Sequence, residues 1–515
     1  MIKPLRPLLL LLYVAVFLAI ALVLLPSEFR ITDTLSFRSF SIKSLFEKPQ
    51  DSYADISGIT SQFSTADSAI AQPPVIANEK IDTQKTVLDT VRAVSLPVES
   101  KYRLQFPEGD STVLNKFFMA LREQSSTQLI RVLHYGDSQI EGDRISSYLR
   151  NRLQQRFGGC GVGLVPLLDV VGSRMSIAQY SDPEWQKLFA YSNGFKKTQV
   201  DSYGVMGAAF RYSAPAKSVK ESYFAMKIDT IRDTSQHAIY VPRKRPGVLV
   251  SYAELRRGYP RDKQAQVIKL LYRNPEAPFQ VAFQENFDSL QQVRIDTSSQ
   301  FKVYTHRLRK DFDKLTLTFN GSPGPELYAA SFDCDKGVAV DNIPFRGSSG
   351  TDFTRMNAEV LGTQIKALNV RMVILQFGVN IVPYVQKDYS YYEQALYRQL
   401  KLFKELAPEA SILVIGVSDM SRREGGSYVS YPNIEAIRDA QRKAAFRAGC
   451  AFWDTFVAMG GKNSMPSWAF AKPALAKQDF IHFTPKGAMI ISEMLYKALI
   501  NEYEKYRAKA TVAVQ

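Results

Sequence analysis

Apolar residues change their rhythm several times along this chain, and each rhythm implies a different kind of structure. Residues 8–25 are apolar without a break, with Lys3 and Arg6 before them and Pro26 after. The run is at the lower limit of length for a helix that crosses a bilayer. A cleaved signal peptide is the competing reading, but the run ends in Val23, Leu24, Leu25 and Pro26 rather than a small-x-small site. Residues 1–26 therefore read as an uncleaved anchor, with the basic residues holding the N-terminus in the cytoplasm and the rest of the chain outside it. Residues 27–108 lack a sustained period and are rich in Ser, Thr, Asp, Ala and Pro, which predicts a mostly flexible stalk. Phe37, Phe40 and Phe46 could dock locally.

Regular patterning starts near Ser111. Val113, Phe117, Phe118 and Leu121 have helical spacing, residues 129–133 read as a buried strand, and Ile145, Tyr148, Leu149, Leu153 and Phe157 mark a helix. That helix stops at Gly158-Gly159-Cys160-Gly161-Val162-Gly163, which lacks the spacing of a phosphate loop and reads as a tight turn beside the active site. Over 176–340 the rhythm becomes alternating, in segments such as Tyr223-Phe224-Ala225-Met226, Val248-Leu249-Val250 and Leu315-Thr316-Leu317-Thr318-Phe319, the last followed by the turn signal Asn320-Gly321. Helical patterns nearly vanish there, so the segment is expected to be an all-β insert, a sandwich or jelly roll. After 341, strands at 372–376, 412–415 and 451–453 alternate with helices near 388–406 and 433–448. A last helix starts at Thr484-Pro485. Repeated βα units imply a parallel sheet covered by helices on both faces. The expected division is 109–175 and 341–508 for a split α/β domain, with 176–340 inserted.

Length and composition agree with this, since 515 residues at 45% hydrophobic and 22% charged suit two or three globular domains. The net charge of +15 raises the question of nucleic acid, but no nucleic-acid fold signature accompanies it. In an exported chain, attraction to anionic lipid or an acidic wall polymer fits better, as does plain solubility. The insert is basic, with 24 Lys and Arg against 17 Asp and Glu over 181–340. Cys160, Cys334 and Cys450 do not make a disulfide framework, and an odd count leaves at least one thiol free. Cys450 reads as buried and inert. His134, His237, His306 and His482 are scattered, so no metal site is expected.

Candidate chemistry comes from three dispersed motifs. Gly136-Asp137-Ser138 and Gly378-Val379-Asn380 each follow a buried strand, and Asp479-Phe480-Ile481-His482 precedes the last helix. Active sites of open α/β sheets collect at the carboxyl ends of strands. Ser138 offers a nucleophile, placed where the chain turns into a helix whose free N–H groups could face an oxyanion. Asn380 offers an amide donor, and the Asp479–His482 pair can activate the serine. Asp137 is adjacent to Ser138 and reads as a structural partner turned away from it. Each piece alone fits an ordinary turn or a structural histidine, whereas the ordered set points to ester cleavage or acyl transfer.

With these motifs the chain resembles the SGNH (GDSL-type) hydrolases, over about 111–175 and 341–505. Ser138 matches their first block, Asn380 the third and Asp479 with His482 the fourth. Gly347, in Phe345-Arg346-Gly347-Ser348, matches the second, which contributes a backbone N–H to the oxyanion hole. Arg346 beside it is a candidate substrate contact. Ile381 stands where the family often has Asp. The resemblance implies a flavodoxin-like three-layer α/β domain without cofactor or metal. The β insert, with Asp143, Arg150, Phe157-Gly158-Gly159 and Met459-Gly460-Gly461, resembles the periplasmic peptidoglycan O-acetylesterases of the Ape type, where a carbohydrate-binding-like β domain occupies this place. By that resemblance the protein is a membrane-tethered esterase acting on an O-acetylated glycan, with peptidoglycan favoured, in the bacterial periplasm or cell envelope. An O-acetyltransferase using the same residues, with a sugar hydroxyl in place of water, is the alternative. A non-catalytic glycan-binding protein is the third reading, and the intact Ser–His–Asp set argues against it.

Overall fold

The computed structural model describes residues 53–64, 100–170, 174–190, 203–212, 247–255, 258–274, 276–286, 288–309 and 313–512, with short pieces before residue 39. Among the described residues no helix is long and apolar enough to cross a membrane. The anchor expected at 1–26 lies mostly outside the described residues, which include helix at 11–17. The strand expected around Tyr223 lies outside them as well.

Five parallel strands form the central sheet: β1 (Leu129–Gly136), β2 (Gly337–Pro344), β3 (Val370–Gln376), β4 (Ser411–Ile415) and β5 (Ala451–Trp453). Their spatial order is β2-β1-β3-β4-β5, the flavodoxin-like order. All eight residues of β1 are buried, as both faces of a parallel sheet must be when helices cover it. Alternation along β1 sends Leu133 and Tyr135 to one face and Ile130 and Val132 to the other. The first face packs on helices α2 (Ala358–Ala367), α3 (Ser390–Leu406) and α4 (Ile434–Arg447) through Leu361, Leu400, Phe403 and Ala444. The second packs on α1 (Ser146–Phe157) and α5 (Pro485–Val512) through Leu149, Leu153, Ile491 and Leu495. Register aligns the strand ends: Gly136 lies opposite Pro344 and Gln376, Gln376 opposite Ile415, and Ile415 opposite Trp453. The loops after these strands therefore leave from one common edge.

Among the described residues the insert forms two antiparallel sheets of five and six strands. Rings from the two sheets meet edge to face, Trp185 on Phe319 at 5.5 Å and Tyr272 on Phe279 at 5.6 Å, so the sheets face each other as a sandwich. Its limits differ from those read from the sequence. Gly163–Val165 already pairs with the insert strand Glu326–Asp333, and Gly337–Pro344 belongs wholly to the parallel sheet. Both segments are fully buried, so neither shows the alternation that would have marked a boundary.

Buried charge and a covalent link hold the two parts together. The Arg131 guanidinium in β1 bonds Asp341 in β2 at 2.6 Å and Asp333 of the insert at 2.7 Å, all three fully buried. Arg150 in α1 bonds Asp143 and the insert's Asp262. Cys160 and Cys334 form a disulfide, a pairing the cysteine count alone did not assign, and Cys450 is a buried free thiol. The glycine run 158–163 is not beside the active site. Twelve residues of α1 carry the chain about 18 Å back along the sheet, to its opposite edge. There Val338 N–H donates to the Gly158 carbonyl, and a Cβ on Gly159 would lie 2.5 Å from the Val338 carbonyl. Part of the expected stalk also packs on the α/β domain. Ile56, Ile59, Tyr102 and Leu104 are buried in its core, and Gln105 bridges Phe452 of β5.

Candidate active site

Ser138 stands just beyond the end of β1, at the point where the sheet order reverses between β1 and β3, the place where open α/β sheets bind their ligands. Gly136 must be small here, because a Cβ would come within 2.8 Å of the Gln376 carbonyl. Asp137 is buried, and its carboxylate accepts from Gln139 N–H at 3.0 Å and Val379 N–H at 3.3 Å. Burial pushes its carboxyl up to about 6, against those hydrogen bonds and the nearby Arg144 charge. Asp137 thus ties the Ser138 turn to the loop after β3.

The Asp479–His482 loop faces this turn. His482 Nε2 lies 2.8 Å from Ser138 Oγ, and its Nδ1 lies 2.9 Å from Asp479 Oδ2. Asp479 Oδ1 accepts the backbone N–H groups of Ile481 and His482, each at 3.0 Å. Burial alone would raise the Asp479 carboxyl, but the hydrogen bonds from His482 and Ile481 outweigh it and hold it below the usual carboxylate range. An ionised Asp479 can only accept, so Nδ1 carries the hydrogen and Nε2 is free to accept from the Ser138 hydroxyl. The loop is tight enough to put Phe480 at φ +57°, a left-handed conformation uncommon for an aromatic residue. Ser421 N–H holds the Phe480 carbonyl, and the Tyr428 ring stacks on Phe480 at 3.7 Å. Both neighbours come from a hairpin of Ser421–Glu424 and Ser427–Ser430. The His482 and Asp479 side chains are 22% and 41% exposed, so the site opens to water.

Gly347 and Asn380 lie on the adjoining loops of the same edge. The loop after β2 is anchored by Phe345 N–H on the Gly136 carbonyl, and Gly347 takes φ +80°, which favours glycine. Asn380 Nδ2 donates to the Ser348 carbonyl at 2.8 Å, which links the loops after β2 and β3 and leaves its second N–H available. Arg346 is 70% exposed and pairs with Glu141 at 3.3 Å. One expectation fails. A turn and the short 3-10 segment Glu141–Asp143 separate Ser138 from α1, which begins only at Ser146. The left-handed Gly142 and Asp143 break the path, so the free N–H groups of that helix do not stand at Ser138.

Two functional neighbours had no signal in the sequence. Gln139 is 2% exposed, and its Nε2 donates to the Ile481 carbonyl at 2.6 Å and to Ser418 Oγ at 3.0 Å. It therefore staples the serine turn to the histidine loop. Arg144 donates from Nη2 to the Ser138 carbonyl and from Nε to the Gln139 carbonyl at 3.4 Å. Burial lowers its pKa, opposed by the charges of Glu141, Asp479 and Asp137. Beneath the site His134 is fully buried between Gln376 Oε1 at 3.0 Å and Ser146 Oγ at 2.9 Å, and burial pulls it down to about 4. Among the described residues no group of His, Cys, Asp and Glu could hold a metal ion.

A serine whose hydroxyl can pass its proton to a carboxylate-oriented imidazole, beside amide donors on two strand-end loops, is the equipment of an SGNH-type serine esterase. Residues 313–490 match the model of the GDSL-like Lipase/Acylhydrolase family, and that match, with the Ser138–His482–Asp479 geometry, supports a serine esterase of the SGNH type. The fold is similar to the solved structure of a peptidoglycan O-acetylesterase, with a TM-score of 0.57 at 20% identity over 79% of this chain and 99% of that one. Two weaker overlaps carry no argument: acetyl xylan esterase AlAXEase, at 16% identity, TM-score 0.25 and 32% and 81% coverage, and a family two carbohydrate esterase from Cellvibrio japonicus, at 8%, 0.23 and 64% and 99%. No curated protein sequence matches the chain.

Proposed function

We propose that this protein is a carbohydrate esterase that removes O-acetyl groups from an envelope glycan, peptidoglycan before others, through an acyl-enzyme on Ser138. The observation that carries the reading is the unbroken hydrogen-bonded chain from Asp479 through His482 to Ser138 Oγ. His482 Nε2 takes the hydroxyl proton as Oγ attacks the acetyl carbonyl, and Asp479 stabilises the imidazolium. The N–H groups of Ser138 and Gly347 and the free N–H of Asn380 receive the oxyanion, the kind of contact that contributes about 3–4 kcal/mol to a transition state when preorganised. His482 returns the proton to the departing sugar oxygen. Water, activated by the same imidazole, then releases acetate. Exposure of the His482–Asp479 pair favours water over a sugar as acceptor, hence hydrolysis over transfer. The similarity to a peptidoglycan O-acetylesterase fold supports the glycan. The 8–25 apolar run and the disulfide support an oxidising compartment outside the cytoplasmic membrane, with the chain anchored in that membrane.

The test is acetate release by the full chain in detergent from 4-nitrophenyl acetate, O-acetylated peptidoglycan and acetylated xylan. Ser138→Ala is expected to lower turnover about 10⁴-fold or more with the fold intact. Acetate release that survives Ser138→Ala sinks the mechanism. Acetylated sugar among the products, in place of free acetate, establishes transfer.

A further inference from the structure

Of the six exposed large hydrophobic side chains beyond residue 100 among the described residues, three fall between 384 and 391: Tyr384, Val385 and Tyr391, at 68%, 50% and 55% exposure. They lie on the segment that runs from the catalytic end of β3, past Asn380, into the first turn of α3. The backbone there is pinned from below. Ile381 and Val382 are buried, Asn433 Nδ2 donates to the Val382 carbonyl, and the Tyr389 hydroxyl donates to the Tyr384 carbonyl while accepting from Gln386 N–H. Tyr392 Oη donates to the Ser349 carbonyl, which ties the start of α3 to the loop that carries Gly347, and the Tyr391 ring lies 6.1 Å from that of Tyr389. The pinned segment leaves these three side chains exposed on the stretch of chain that follows Asn380. Exposed apolar side chains mark binding surfaces where they gather into one patch, and half of those described beyond residue 100 gather in this one segment.

We propose that Tyr384 and Tyr391, with Val385, form a ledge on which the sugar rings adjoining the acetylated residue stack. This rests on the glycan-esterase reading above. A pyranose ring has an apolar C–H face and a hydroxyl rim, which match the apolar face and polar tip of tyrosine. Tyrosine also loses little rotamer freedom on binding, and a pinned loop loses none. Lys387 and Asp388 interrupt the patch with charge, which suits a hydroxylated polymer and disfavours an acyl chain. Tyr384 and Val385 follow Asn380 on the loop that leaves the catalytic end of β3, so a glycan held there is kept near the site.

The experiment titrates the full-length Ser138→Ala protein in detergent with a β-1,4-linked N-acetylglucosamine tetramer by calorimetry. Removing Tyr384 or Tyr391 as alanine is expected to raise Kd about 3–10-fold each, the range expected for a single aromatic stacking contact. Tyr391→Phe is expected to bind within twofold of the parent, because the ring face carries the contact. An unchanged Kd in the Tyr384→Ala, Tyr391→Ala double variant overturns the ledge, as does the absence of binding at millimolar tetramer. If the active protein deacetylates no glycan but the tetramer still binds through both tyrosines, the esterase reading falls and the ledge stands. If it deacetylates glycan and the double variant binds as the parent does, the ledge alone falls.

Discussion

Gln139→Met tests whether the serine turn and the histidine loop are aligned by the staple between them. Methionine has nearly the same shape, so the change removes two donated hydrogen bonds, to the Ile481 carbonyl and Ser418 Oγ, without opening a large cavity. Stranding the part-buried Ile481 carbonyl and the buried Ser418 hydroxyl together costs about 1–3 kcal/mol. Some of that is offset, because Gln139 Oε1 is itself buried without a hydrogen-bond partner and disappears with the amide. A net effect of about 1–2 kcal/mol remains. If it appears as misalignment of His482 with Ser138, kcat/KM falls about 5- to 30-fold. The assay is 4-nitrophenyl acetate hydrolysis at saturating and limiting substrate, beside urea unfolding of the same protein. A fall in kcat with KM unchanged supports a positioning residue. Gln139→Glu keeps the shape but turns an acceptor toward the Ile481 carbonyl, and is expected to lose more than Gln139→Met. A Gln139→Met enzyme that is less stable by this amount yet hydrolyses the ester within twofold of the parent refutes the argument.

Other outcomes follow from the rest of the structure. Arg131→Met leaves buried Asp341 without its ion-pair partner and Asp333 with only Lys269 at 3.5 Å, and is expected to cost about 3–5 kcal/mol in urea unfolding; a loss below about 1 kcal/mol would show the cluster is not needed to join the two parts. His134 stays neutral in the fold, with its pKa pulled from 6.5 to about 4, so its stabilisation is complete above pH 6.5 and lost progressively as pH falls toward 4. The stability advantage of the parent over His134→Gln should therefore shrink by about 3 kcal/mol across that interval; a constant difference in denaturation midpoints contradicts a buried neutral imidazole. Gly487→Ala puts a Cβ 1.8 Å from the Leu475 carbonyl, so the first turn of α5 or the 475–484 loop must shift. A fall of about 1–3 kcal/mol in stability is expected, together with slower ester hydrolysis, and an unchanged melting temperature would argue against the close approach.

Much of the architecture was legible because it depends on local period. Residues 129–133 read as a strand from their short, mostly apolar run, interrupted only by Arg131, and the helices near 388–406 and 433–448 from a 3.6-residue repeat. The same argument failed where burial hid the period. Strand β2 was divided between insert and α/β domain because all of its residues are buried and none alternates. The α1 N-terminus was drawn too close to Ser138 because Gly142 and Asp143 make a left-handed break that hydrophobic spacing cannot register.

The sequence by itself determined the chemical inventory: a serine after one strand, an asparagine after another, and an Asp–His pair three residues apart in a tight loop. Those features follow from residue type and short-range geometry, which nearest neighbours along the chain dictate. Only the tertiary structure decided which distant groups meet. Gln139 and Ile481 are 342 residues apart, Arg131 and Asp341 are 210 apart, and Cys160 is joined to Cys334 across 174. Such contacts depend on strand order and register, which bring the five strand ends to one edge. Packing of the whole sheet, rather than any local pattern, sets that register.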